Sequence, residues 1–167
     1  MNQPNTLPAH KPTATLTAAQ NFIDIVACSG YRAYRSDREA FGRTLSAEVS
    51  DAQLGDAIRS ALSSSRQIDF SEVKTFFDPA LIKRLYDAWV DLMKSSYGYK
   101  SRRALHQALR SCRCEIDGSM IRLVPWRREG AEGYVGFGTP EVDVVVALNV
   151  SDAELGAAAR LALSRCE

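Results

Sequence analysis

Two stretches of this 167-residue chain are nearly the same. Residues 49–63 (VSDAQLGDAIRSALS) align without a gap to residues 150–164 (VSDAELGAAARLALS), and eleven of the fifteen positions are identical. Each stretch opens on a Ser-Asp pair suited to capping a helix, and its Leu and Ala residues recur at three- and four-residue steps. Any fold for this chain must therefore place two equivalent amphipathic helices, one in each half. Each helix also carries an interior glycine, Gly55 or Gly156, at a cost of about 1 kcal/mol relative to Ala. That cost points to a close approach of helix to sheet. The likeness reads either as one packing solution imposed twice or as an internal duplication.

Between these helices the periodicity changes twice. Residues 22–27 (FIDIVA) have the apolar, β-branched character of a strand, closed by Ser29-Gly30. The Arg-rich stretch 31–39 is expected to cross the surface. Asp78 followed by Pro79 marks a helix start, and Leu81, Ile82, Leu85, Trp89, Leu92 and Met93 mark its buried stripe up to Tyr97-Gly98. Ser101 caps a short helix through Leu109. From Cys112 the period is two: Cys112 to Ile116 alternates, Asp117-Gly118 signals a hairpin, and residues 120–124 return. A loop holding Trp126 to Gly130 follows, then a strand over 143–148 that Val144-Val145-Val146 mark as buried on both faces. The resulting expectation is an α/β (α+β) fold, with a mixed, largely antiparallel sheet of about five strands and about four helices packed on it.

At this length one domain with a substantial core is expected. Residues 1–18, with Pro4, Pro8 and Pro12 among Thr, Asn and Gln, read as a disordered tail, leaving 19–167 as the domain. Nothing approaches the ~20 apolar residues of a membrane helix, and the start lacks a secretory signal, so a cytoplasmic location is expected. Four scattered cysteines (Cys28, Cys112, Cys114, Cys166) then read as reduced thiols.

The side chains assemble no catalytic set. Of the two histidines, His10 lies in the tail and His106 reads as a solvated helix-surface residue, so a Cys-His pair with Cys112 or Cys114 is disfavoured. Cys112 and Cys114 share a strand face, but a zinc site needs further ligands, and the simpler reading is two small core residues. The glycines of 133–138 lack the Lys-Ser/Thr of a phosphate loop. No metal and no cofactor are expected, and no enzyme activity. Charge is less uniform. Residues 100–128 hold eight basic side chains (Lys100, Arg102, Arg103, Arg110, Arg113, Arg122, Arg127, Arg128) against Glu115 and Asp117 in a chain of net charge +1. Such asymmetry favours an electrostatically guided partner, either nucleic acid bound by the 100–128 segment or a protein.

The order of motifs in the second half, Gly98-Tyr99-Lys100-Ser101, then Leu109-Arg110-Ser111-Cys112, then the hairpin to Ile121-Arg122-Leu123-Val124-Pro125, then the helix from Asp152 to Cys166, resembles the contact-dependent growth inhibition (CDI) immunity protein family. It departs from the family pattern at Tyr134, where a Trp is expected. The resemblance implies a cytoplasmic bacterial protein that neutralises the C-terminal toxin domain of a cognate CDI effector as a one-to-one heterodimer. For a nuclease toxin, whose groove is basic, acidic residues around aromatic anchors are natural contacts. The expected toxin-binding residues are Trp126, Arg127, Arg128, Glu129, Glu132, Tyr134, Glu141 and Asp143.

Overall fold

A computed structural model describes residues 7–167. Eight strands and five α-helices follow the order β1 (Thr13–Ala18), β2 (Phe22–Gly30), β3 (Tyr34–Ser36), β4 (Gly42–Ser46), α1 (Asp51–Ser64), α2 (Val73–Phe76), α3 (Pro79–Tyr97), α4 (Arg102–Ala108), β5 (Arg110–Asp117), β6 (Met120–Glu129), β7 (Gly133–Gly136), β8 (Val144–Ala147) and α5 (Asp152–Ser164). The sheet runs β3-β2-β1-β5-β6-β7, with β4 also beside β2 and β8 also beside β6, and the strand pairs are antiparallel. The α+β expectation holds, with more strands than the five expected.

The largest correction concerns the supposed tail. Thr13–Ala18 is β1, one of the two central strands of the sheet, paired on one side with β2 and on the other with β5. Its sequence TATLTA alternates, with Ala14, Leu16 and Ala18 in the core. The alternation is weak to read because its inward residues are small, and the nearby prolines mask it. Residues 1–6 of the expected tail lie outside the described residues.

The repeat extends far beyond the two helices. β1 to α1 and β5 to α5 each form a four-strand, one-helix unit, and the pairing registers match. Opposite β4, Ile23 and Ile25 face Leu45 and Arg43; opposite β8, Ile121 and Leu123 face Val146 and Val144. On the same count Ala14 and Leu16 take the places of Cys112 and Cys114, and Tyr34 that of Tyr134. Leu16 pairs with Cys112 and Ala14 with Cys114, as a two-fold axis between β1 and β5 requires. The chain is thus built as two pseudo-symmetric halves, and residues 65–109 are inserted between them.

That axis also passes between α1 and α5, which cover one sheet face together. Capping boxes start both: Ser50 with Gln53, and Ser151 with Glu154. The two glycines serve a helix-to-helix contact instead of the expected helix-to-sheet one. A Cβ on Gly55 would overlap the Asp152 carbonyl, and one on Gly156 would overlap that of Asp51. Beside each glycine sits a reciprocal clasp. Arg59 Nε donates to Asp152 (2.7 Å) and its Nη1 to the Leu148 carbonyl (2.9 Å); Arg160 Nε donates to Asp51 (2.7 Å) and its Nη1 to the Ala47 carbonyl (3.0 Å). Leu54, Ile58, Leu155 and Ala159 press onto Leu16, Ile25, Cys112 and Cys114 in the principal core.

Two further expectations change. Val144–Ala147 is not buried on both faces, because β8 pairs with β6 alone and Val145 is 50% exposed. Trp126 to Glu129 form the end of β6 instead of a loop.

Candidate functional site

The sheet face away from α1 and α5 is only partly covered. Strand alternation turns Thr13, Thr15, Thr17, Asp24, Val26, Cys28, Arg113 and Trp126 towards it. The inserted helices α3 and α4 cross one end, where Val90, Met93, Leu105 and Leu109 pack on Phe22 in a second, smaller core. Asp78 caps α3 through the Ala80 N–H (3.0 Å), Pro79 stands in its first turn, and Gly98 closes it at φ 72°. Of the stripe expected to be buried along α3, Met93 alone is fully buried, joined by Val90, which lay outside that stripe. Val90 and Met93 are 2% exposed, whereas Leu85 is 37% and Leu92 56% exposed. The first half of the helix overhangs the sheet instead of sealing it.

Beneath this overhang lies a groove made of two adjoining cavities. One, of about 300 Å³, has Ile82, Leu85, Tyr86 and Trp89 as its helix wall and Thr15, Thr17, Val26, Arg35 and Arg38 as its sheet wall. The other, of about 360 Å³, continues past Trp89 to Arg113, Trp126, His106, Glu132 and Tyr134. Aromatic pairs line it: Tyr86 stacks with Trp89 (centroids 5.9 Å apart) and Trp126 with Tyr134 (6.5 Å).

A polar network holds the α3–α4 wall in place. Arg102 donates to both oxygens of Glu132 (2.7 and 2.8 Å) and to Asp87 (2.7 Å), which also accepts from Lys83 (2.6 Å). These hydrogen bonds hold the Glu132 and Asp87 carboxyls below the usual carboxylate range. His106 is 2% exposed, a correction to its reading as a solvated surface residue. Its Nε2 is hydrogen-bonded to Tyr86 Oη (3.1 Å) and lies 3.7 Å from Glu132. Burial lowers the His106 pKa despite the nearby carboxylate and pushes Tyr86 up to about 12. Trp89 Nε1, His106 Nδ1 and Arg113 Nε, all on residues of the second cavity, have no hydrogen-bond partner among the described residues.

The structure divides the expected contact residues. Trp126, Glu132 and Tyr134 meet in the groove. Arg128 lies beside them and donates to the Leu109 carbonyl (3.0 Å), while Arg127 and Glu129 alternate to the opposite strand face. Glu141 is exposed in the short turn Pro140–Val142. The Asp143 side chain is 4% exposed and spent on Arg122 (2.6 Å), so it is unavailable as a surface contact. Arg35, Tyr86, Trp89 and His106 were missed. For Arg35 a signal existed in Tyr31-Arg32-Ala33-Tyr34-Arg35, where aromatic and guanidinium groups interleave.

The basic segment 100–128 does not form one surface. Arg102, Arg113 and Arg122 are ion-paired with Glu132 and Asp87, Glu115 and Asp143 respectively. Cys112 and Cys114 are fully buried, and desolvation raises both thiols. No group of three or more potential metal ligands occurs among the described residues, and no helix among them is long and apolar enough to cross a membrane.

Residues 12–166 match the family model described as CDI immunity protein. The immunity protein CdiI-YPIII of Yersinia pseudotuberculosis serotype O:3 (strain YPIII) is 34% identical, spanning 92% of this chain and 94% of the relative. Among solved structures, NMB0488 of Neisseria meningitidis, a protein of unknown function, superposes with a TM-score of 0.87 at 29% identity over 95% of this chain and 96% of that one. A chain of the CdiA-CT/CdiI toxin and immunity complex from Yersinia pseudotuberculosis superposes with a TM-score of 0.85 at 30% identity over 95% and 99%. With its family pattern matched over nearly the whole fold, this chain belongs to the CDI immunity protein family.

Proposed function

We propose that this protein binds the C-terminal toxin domain of a cognate CDI effector one-to-one in the bacterial cytoplasm, and neutralises it by occupation, without chemistry of its own. The observation that carries this reading is the groove. It is a preformed concavity with one stacked aromatic pair where its two cavities join and another in the second cavity, and such rigid aromatics anchor protein interfaces. Trp126 and Tyr134 line it directly, and Arg128 and Glu132 stand at its α4 end. The reactive side chains favour binding over catalysis. The thiols of Cys112 and Cys114 are buried and protonated, and His106 is engaged with Tyr86.

For the toxin we infer a nuclease. Of the acids expected to meet its basic groove, Asp143 and Glu132 are committed to arginines, whereas Glu129 and Glu141 are exposed and remain as contacts. Co-expression with the toxin domain encoded immediately upstream tests the function. Protection of the host and a stable 1:1 complex on gel filtration are expected; toxicity unchanged by this protein would end the reading. Degradation of RNA or DNA by the free toxin domain, and its suppression by this protein, tests the nuclease assignment.

A further inference from the structure

We propose that Arg35 is the electrostatic anchor of the groove and receives a carboxylate that the toxin presents on an apolar segment. This rests on the toxin-binding function proposed above and specifies its contact chemistry. The groove is lined by three guanidinium groups. Arg38 is paired with Asp24, which also accepts from Thr44 (2.7 Å), and Arg113 is paired with Glu115 (2.7 Å). Arg35 has no carboxylate within ion-pair distance among the described residues. Its Nε donates to the Phe76 carbonyl and its Nη1 to the Ser36 carbonyl, each at 2.6 Å, and its guanidinium lies 3.7 Å over the Phe76 ring.

These partners fix the head group in place without an ion pair, and Asp37 and Glu39, acting at longer range, offset only part of the burial that opposes its charge. A half-buried cation held rigidly by neutral acceptors has already lost its side-chain freedom, so an incoming carboxylate pays little ordering cost. Burial works against the charge of Arg35, so a counter-ion in the groove relieves an existing penalty.

The surroundings narrow the choice of ligand. Arg35 borders both cavities; the first is lined mainly by apolar surface from Val26, Ile82, Leu85 and Trp89, and its one carboxylate, Asp24, is held by Arg38. A nucleic-acid backbone carries a phosphate at every residue and matches a row of cations, whereas here, among the described residues, Arg35 is the one groove guanidinium without an ion pair, set in a mostly apolar lining. An Asp or Glu flanked by apolar side chains satisfies both features. The contact also reverses the polarity expected from sequence: at the groove the immunity protein supplies the cation and the toxin the anion.

Calorimetric titration of the full chain with the toxin domain encoded beside its gene tests the proposal, using Arg35→Gln, Leu85→Glu and Leu85→Lys. Arg35→Gln is expected to weaken binding by about 30-fold or more. Because Leu85 sits at the rim and is partly exposed, Leu85→Glu and Leu85→Lys fold alike and differ only in sign. Glu is expected to weaken binding clearly more than Lys, a difference that loss of shape alone does not produce. Should Arg35→Gln perturb folding, seen by circular dichroism, the Leu85 pair decides. No binding by the unmodified protein would remove the proposed function itself. Binding by the unmodified protein with Arg35→Gln unaffected, or with the two Leu85 variants equal, would overturn the anchor and leave the function standing. Self-association or RNA retention abolished by Arg35→Gln would likewise overturn it, assigning the groove to a second copy or to nucleic acid.

Discussion

His106 shows how one side chain changes meaning between chain and fold. On α4 it follows Leu105 and looks like a solvent-facing position, yet the β6–β7 turn and α3 close over it and it is 2% exposed. Its depressed pKa has a thermodynamic consequence. Above the ordinary histidine value of 6.5 the ring is neutral whether the chain is folded or not. As pH falls below 6.5 the unfolded chain takes up a proton that the folded one resists, so stability drops, by at most about 1.4 kcal/mol per pH unit, until the folded pKa is passed. Urea midpoints measured between pH 7.5 and 5 are expected to decline through this window, and His106→Gln is expected to flatten the decline. An equally steep decline in that variant would place the titrating group elsewhere. The neighbouring carboxylates contribute little in this window, since the stabilisation that Glu132 and Asp87 gain is lost only as pH falls below their ordinary values of 4.5 and 3.8.

Among the elements, the α1–α5 pair is the joint on which the two halves close. Each helix presents a glycine to the other's first turn and an arginine to the other's capping aspartate. In isolation Gly→Ala should help a helix by about 1 kcal/mol. Here the added methyl meets backbone that cannot swing aside, and the helices must separate along their contact. Gly55→Ala and Gly156→Ala are each expected to destabilise the protein by about 1–3 kcal/mol in denaturant unfolding. The two values should be similar because the sites are pseudo-equivalent; a stabilised variant would contradict the close approach. The α3 helix contrasts with this pair. Its ends were readable from Asp78-Pro79 and Tyr97-Gly98, but the burial of its stripe was not, because a helix that overhangs a groove and one that seals a core share one apolar pattern.

At the scale of the whole molecule, the pseudo-two-fold architecture places β1 at the centre, with half of its pairing to β2 in its own unit and half to β5 in the other. Its loss would leave both units with an open inner edge and remove Ala14, Leu16 and Ala18 from the core. Deletion of residues 1–18, which a reading of this segment as a tail would consider harmless, is expected to abolish the cooperative thermal transition and leave aggregation-prone material; a folded, toxin-binding truncate would refute the central role of β1.

The sequence by itself determined what depends on near neighbours: the capped starts of α1, α3, α4 and α5, the Asp117-Gly118 hairpin, the family, and the likeness of the two terminal helices. Each of these follows from contacts a few residues apart or from a pattern repeated in order. Only the tertiary structure decided what depends on distant parts of the chain. It made Thr13–Ala18 a central strand because two partners about ten and a hundred residues away both pair with it. It turned the helical glycines towards another helix and gathered Trp126, Tyr134, Trp89 and Arg35 around one groove while setting Arg127 and Glu129 apart. Burial and charge pairing are properties of the packed assembly, so which arginine is left without a counter-ion cannot be read from the order of residues alone.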